Sequence, residues 1–297
     1  MARFGTVLTA MITPFDGAGR LDLDEAAALA RWLVASGNEG LVIAGTTGES
    51  PTLTHAEQGD LFAAVRAAVD VPVVAGVGSN STAESLDLVA HANAAGVDGV
   101  LVVTPYYNRP SQAGLLRHFR TVAEATDLPV MLYDIPVRTG RKIDTDTLVE
   151  LATTVPNVVA LKDAAGDPAE TATLLTRVPD DFEVYSGDDS LTLPLLSIGA
   201  VGVVGVATHW CAPEMRSMIE AFNGGDVALA RRLNAVMLPS FAFETGLVAP
   251  NPVPTKALLR TLGRPVGECR PPMGPTPDGL EDRARAVLAD LDAHRKG

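Results

Sequence analysis

Eight short apolar runs recur along the chain at intervals of about 20 to 34 residues, and that repeat leaves few folds open. They read TVLTAMI from Thr6, GLVIAG from Gly40, VPVVAGV from Val71, GVLVVTP from Gly99, LPVMLYDIP from Leu128, NVVALKD from Asn157, FEVYSG from Phe182 and VGVVGVAT from Val201. Each is continuous rather than alternating, as strands covered on both faces are. The interval is the length of one strand–helix unit. Capping patterns at Thr54–Glu57 and Ser81–Glu84 predict helix starts, and Gly37 and Gly96 predict helix ends. From Cys211 onward the pattern is helical, broken by the proline-rich stretches APNPVPTK and RPPMGPTP. There Pro213 fits a first helical turn and Gly224–Gly225 its end.

An open doubly wound sheet also alternates strand and helix. Eight regular units without a Gly-rich dinucleotide fingerprint after the first strand favour closure instead. The expected fold is therefore α/β: a (β/α)₈ TIM barrel over residues 1–210, then a barrel-closing and C-terminal helical extension over 211–297.

With 47% apolar residues the chain can bury a sizeable core. Its net charge of -13 argues against a nucleic-acid or anionic-membrane partner, because the polyanion would be repelled. A small anionic substrate stays compatible if local arginines override that field. Cys211 and Cys269 give no disulfide framework and are expected to be free thiols in a reducing compartment. The apolar N-terminal stretch is interrupted by Thr6, Thr9 and Thr13, so it reads as a strand rather than a leader. The run from Leu191 to Ala207 is broken by Pro194, Gly199, Gly202 and Gly205, which argues against a membrane span. A cytoplasmic location is expected.

In a barrel, chemistry collects where the strands end. Read in order, those ends carry Thr13, GTTGES (45–50), Gly78-Ser79-Asn80, TPYY (104–107), Tyr133 with Arg138, Lys162-Asp163, SGDD (186–189) and Val204-Gly205. Lys162 follows VVAL directly, so a buried strand runs straight into an amine. It could be tied to Asp163 in an ion pair. Alternatively, an apolar surround would lower its pKa and leave a free amine able to attack a ketone. Tyr133 could simply pack its ring, or it could move protons if relay partners such as Thr46, Thr47 or Tyr107 stood nearby. Tyr106-Tyr107 also suits a protein contact. Arg138, two residues past Pro136, is a surface arginine or a carboxylate clamp. GTTGES suits a small anion but lacks the lysine of a P-loop. The five histidines at 55, 91, 118, 209 and 294 have no zinc-hydrolase spacing, and no metal is expected.

GTTGES, TPYYNRPSQAGL, LYDIPVRTG, a strand ending in lysine, SGDD and NPVPTK, in this order over nearly the whole chain, resemble the dihydrodipicolinate synthase/N-acetylneuraminate lyase family. The resemblance implies a metal-free class I aldolase without a cofactor, commonly a homotetramer of tight dimers. It implies Lys162 as the Schiff-base lysine for pyruvate, with Tyr133, Thr46 and Tyr107 as a proton relay, Tyr107 acting across the dimer interface. Thr46 and Thr47 would hold the pyruvate carboxylate, Arg138 the carboxylate of aspartate 4-semialdehyde, and the backbone carbonyls of Gly187 and Val204 would line the pocket. The implied product is the heterocyclic precursor of lysine and diaminopimelate. Sister lyases that accept sugar-derived aldehydes typically lack the arginine of IPVRTG, so Arg138 favours the dicarboxylate route over them. The chain departs from the commoner pattern at Asp134, where Asn is frequent, and in LKDAAGD. The family's lysine-effector site would comprise Ser50, His55, Asn80, Glu84 and Tyr106. Gln58 stands where many lysine-sensitive members carry His, which implies weak or absent inhibition by lysine. A non-catalytic keto-acid binder and a metallohydrolase are the readings from other classes.

Overall fold

The structure, a computed structural model, describes residues 2–295. Its first half runs β1 (Val7–Ala10), α1 (Leu23–Ala35), β2 (Gly40–Ile43), α2 (His55–Ala68), β3 (Val73–Gly76), α3 (Thr82–Ala95), β4 (Gly99–Val103), α4 (Gln112–Ala123), β5 (Val130–Asp134) and the one-turn α5 (Pro136–Thr139). There follow α6 (Thr145–Thr154), β6 (Val158–Asp163), α7 (Pro168–Leu175), β7 (Glu183–Ser186), α8 (Thr192–Leu196) and β8 (Gly202–Gly205). The chain continues with α9 (Thr208–Asn223), α10 (Val227–Glu244), α11 (Val253–Thr261) and α12 (Leu280–Arg295). All eight strands are parallel and close into one barrel, β8 pairing with β1. The chain thus has the expected (β/α)₈ fold.

Successive strand residues face opposite ways. On β6, Ala160 packs inside the barrel with Leu8, Ala10, Val42, Val74, Leu101, Met131 and Tyr133, while Leu161 joins the larger core between strands and helices. The alternation turns Lys162 inward and Asp163 outward. It also explains why the apolar runs are continuous: both faces are covered.

A separate apolar cluster joins α9 to α12 with the outer faces of β1 and β8, through Val7, Val203, Trp210, Met215, Phe241, Leu258 and Leu291. Helix α9 spans positions 210 and 211, leaves helical geometry at Cys211 (φ -111, ψ 19) and resumes around Pro213. The extension therefore continues the helical layer of the barrel. The Thr54–Glu57 capping box forms in full. At Ser81 only half of one forms: the hydroxyl caps Glu84, but the Glu84 carboxylate accepts a 2.6 Å bond from Ser79 instead of reaching back.

Candidate active site

The C-terminal ends of the strands surround a cavity of about 470 Å³ lined by Thr46, Thr47, Tyr133, Arg138, Lys162 and Gly187, among others. Neighbouring strands place Tyr133 and Lys162 opposite each other in register, so both point into the barrel. The Lys162 amine stands 4.3 Å above the centre of the Tyr133 ring, and both side chains are 95% buried. Burial pulls the amine down to about 8, with Arg138 acting the same way and Asp189 and Glu244 opposing. Desolvation disfavours the ammonium form, so more free amine is present near neutral pH than at an exposed lysine. Burial also raises the Tyr133 phenol well above its usual value, against the pull of Arg138.

Asp163 does not hold Lys162. Its carboxylate accepts from the Thr171 hydroxyl and the Ala165 amide on the outer layer. Asp134 likewise faces outward, to the Ile143 amide and to Lys142 at 3.5 Å, with its carboxyl pushed up to about 6 by burial. The unusual residue at 134 therefore shapes the helical layer and leaves the cavity unaltered.

The GTTGES turn is fastened by residues far along the chain. Asn251 donates to the Thr47 hydroxyl oxygen at 2.9 Å, so that hydroxyl keeps its own proton to offer a ligand in the cavity. Glu49, at a left-handed φ of 57, pairs with buried Lys256 at 2.6 Å and accepts from the Arg270 amide at 2.8 Å. Arg138, on the one-turn α5, is exposed at the mouth. Gly187 lines the wall where a Cβ would meet the Lys162 Cγ at 3.0 Å.

Two expected residues stand apart. Val204 belongs to the barrel interior, and Val206 is the residue of that strand end which lines the cavity. Tyr107 is 90% exposed at φ 73 and lines neither this cavity nor its neighbour. Of the candidate effector residues, Ser50 and Tyr106 line a second, smaller cavity that shares Thr46, Tyr133 and Arg138 with the first. His55 instead pairs with Asp87 at 2.6 Å, the Asn80 carbonyl accepts from Asn108, and Glu84 holds Ser79. Gln58 is buried and donates weakly to the Ser50 carbonyl at 3.4 Å. Sequence reading missed Asn251, Asp189 and Glu244 as cavity residues. The motifs NPVPTK and SGDD contain the first two, but nothing in sequence singled out Glu244.

Fold and site together define a (β/α)₈ barrel with a desolvated lysine at the floor of its mouth, and its relatives are enzymes. Residues 3–291 match the Dihydrodipicolinate synthetase family. The chain is 49% identical to the 4-hydroxy-tetrahydrodipicolinate synthase of Moorella thermoacetica, over 96% of this chain and 98% of that one. It is 51% identical to 4-hydroxy-tetrahydrodipicolinate synthase 2 of Halalkalibacterium halodurans, over 97% and 98%. The crystal structure of the Cyanidioschyzon merolae relative with lysine bound superimposes at a TM-score of 0.95, with 43% identity over 98% of this chain and 99% of that one. The chain belongs to the dihydrodipicolinate synthetase family. No helix among the described residues is long and apolar enough to cross a membrane.

Proposed function

We propose that the chain condenses pyruvate with L-aspartate 4-semialdehyde to give 4-hydroxy-tetrahydrodipicolinate, through a Schiff base on Lys162 and without a metal or cofactor. The observation that carries this reading is an unpaired, buried amine at the cavity floor with a guanidinium at the mouth. The Lys162 amine adds to the pyruvate ketone; amine, ketone and one proton give an iminium and one water. Loss of a methyl proton forms the enamine, whose carbon bonds to the aldehyde carbon while the aldehyde oxygen takes up a proton. Attack of the second substrate's own amine on the imine carbon then frees Lys162 and closes the ring.

Thr47, and the backbone amides of its turn, suit the pyruvate carboxylate. Tyr133 cannot act alone, because its raised pKa keeps the phenol protonated and makes it a poor acid near neutral pH; a relay through Thr46 to another hydroxyl is needed. Tyr107 fits that part only from another subunit, since its ring turns outward from its own barrel. The proposal therefore includes a tight dimer, two of them making a tetramer, and a cytoplasmic location. Arg138 at the mouth suits the second carboxylate, bidentate and charge-assisted. With Gln58 in place of a histidine, lysine is expected to inhibit weakly or not at all.

Turnover of pyruvate with aspartate semialdehyde, N-acetylmannosamine and glyceraldehyde, side by side, tests the acceptor. Only the first is expected to react appreciably. In Arg138→Ala its kcat/KM should fall roughly 10- to 100-fold, the worth of a charged hydrogen bond, while the borohydride-trapped pyruvate adduct survives. A preference for either sugar-derived aldehyde would replace this reading by the sister-lyase one.

A further inference from the structure

Three acidic side chains line the cavity with Lys162; exposed Asp188 accepts from the Ser190 amide of its own turn, and the other two, both buried, are not accounted for by substrate binding. Asp189, just after β7, is 98% buried, and Glu244, the last residue of α10, is 94% buried. Asp189 Oδ2 accepts the Val206 amide at 2.8 Å. Its Oδ1 has no donor, and neither has Glu244 Oε2. Oδ1 presses so closely on the backbone that a Cβ at Gly205 would overlap it. Both line the one cavity, and the helix that ends at Glu244 packs on the turn that begins at Asp189, so two ionised carboxyls there would repel each other and leave both orphan oxygens buried and unpaired, at a cost of roughly several kcal/mol. A single proton held between them satisfies both at once.

We propose that Asp189 and Glu244 form a proton-sharing carboxyl pair whose one negative charge positions and stabilises the cationic imine on Lys162. Both are positioning residues in this account, and the inference rests on the Schiff-base reading above. One charge is the useful number. With none, the iminium would sit uncompensated in a dry barrel; with two, the lysine would stay protonated and unreactive. Glu244 holds the proton, since burial and the neighbouring Asp189 push its carboxyl well above the ordinary range. Burial raises the Asp189 carboxyl as well, but the Val206 amide opposes that rise, so the charge of the pair rests on Asp189. That amide is itself fixed: His209, buried and held neutral with a pKa near 4, bonds the Val206 carbonyl at 2.7 Å and accepts from the Ile12 amide. The other groups facing this cluster are Tyr133 from β5, Arg138 from α5, Asp188 beside Asp189, and the Cys211 thiol from α9, which burial keeps protonated.

The test reads the pH at which Lys162 becomes reactive. Initial rates of pyruvate–borohydride trapping are measured by mass across about pH 6 to 10, and the same series is run with formaldehyde and borohydride, followed on the Lys162 peptide. Wild type should give a midpoint near pH 8. Asp189→Asn removes the charge and should lower the midpoint by about one pH unit. Glu244→Gln keeps a neutral donor to Oδ1 and should leave it within about 0.3 unit of wild type. Glu244→Ala strips that donor, so Asp189 takes up the proton and the midpoint should fall as in Asp189→Asn. An unchanged midpoint in both Asp189→Asn and Glu244→Ala, or a Glu244→Gln shift as large as theirs, overturns the pair. If Asp189→Asn does not fold, the two Glu244 variants decide alone. Absence of any pyruvate adduct in wild type overturns the aldolase reading instead, and the formaldehyde series still judges the pair.

Discussion

The chain buries two lysines in nearly the same way and uses them for opposite ends. Lys162 is 95% buried with its amine 4.3 Å over the Tyr133 ring; Lys256 is fully buried with its amine 4.2 Å over the Phe15 ring. Burial pulls the pKa of both downward. What differs is the partner. Lys256 meets the Glu49 carboxylate at 2.6 Å and the Glu268 carbonyl at 3.1 Å, so its positive charge is matched and its protons are used. Lys162 joins none of the ion pairs found among the described residues and opens onto the cavity. Burial alone, then, does not make an amine reactive. On the proposed function, leaving it without a counter-ion at contact distance does.

Replacing each lysine by methionine separates the two roles. Lys162→Met should abolish the pyruvate adduct and lower turnover roughly a thousandfold or more, as loss of a covalent nucleophile does. Its stability to denaturant should be equal or higher, because an unpaired buried amine gives way to an apolar chain of similar size. A large loss of stability would break the comparison. Lys256→Met should cost about 3 to 5 kcal/mol in unfolding free energy, since the buried Glu49 carboxylate is left without its cation. The double variant Glu49→Gln/Lys256→Met should recover most of that, and a cycle showing no coupling would place the cost elsewhere.

The smallest effect sharpens the link between the two regions. Asn251→Ala removes the donor to Thr47 and should raise KM for pyruvate about fivefold, the worth of one neutral hydrogen bond, with kcat nearly unchanged. A fall in kcat with unchanged KM would mean that Thr47 moves protons instead of holding the carboxylate.

The strands and the inward lysine were legible because both depend on short-range pattern: a continuous apolar run, and alternation of faces along it. Which residue of β8 reaches the cavity was not. Val204 lies within β8 and Val206 in the bend just past its end, and only the depth at which the barrel opens decides between them. The half-formed cap at Ser81 was hidden because Glu84 is drawn to Ser79, a competing hydroxyl that the capping pattern ignores. Asn251 and Thr47 lie 204 residues apart, and local sequence carries no trace of that bond. Glu244 is harder still: an acidic residue at a helix end reads as solvated until the fold places Asp189 against it.

The GTTGES turn is closed by Asn251, Lys256 and Arg270, which arrive only in the last quarter of the chain. A nascent chain emerging from the ribosome can therefore complete all eight strands while this turn still lacks its fasteners. Three-quarters-made molecules would present the Lys162 amine before the loop beside it is secured.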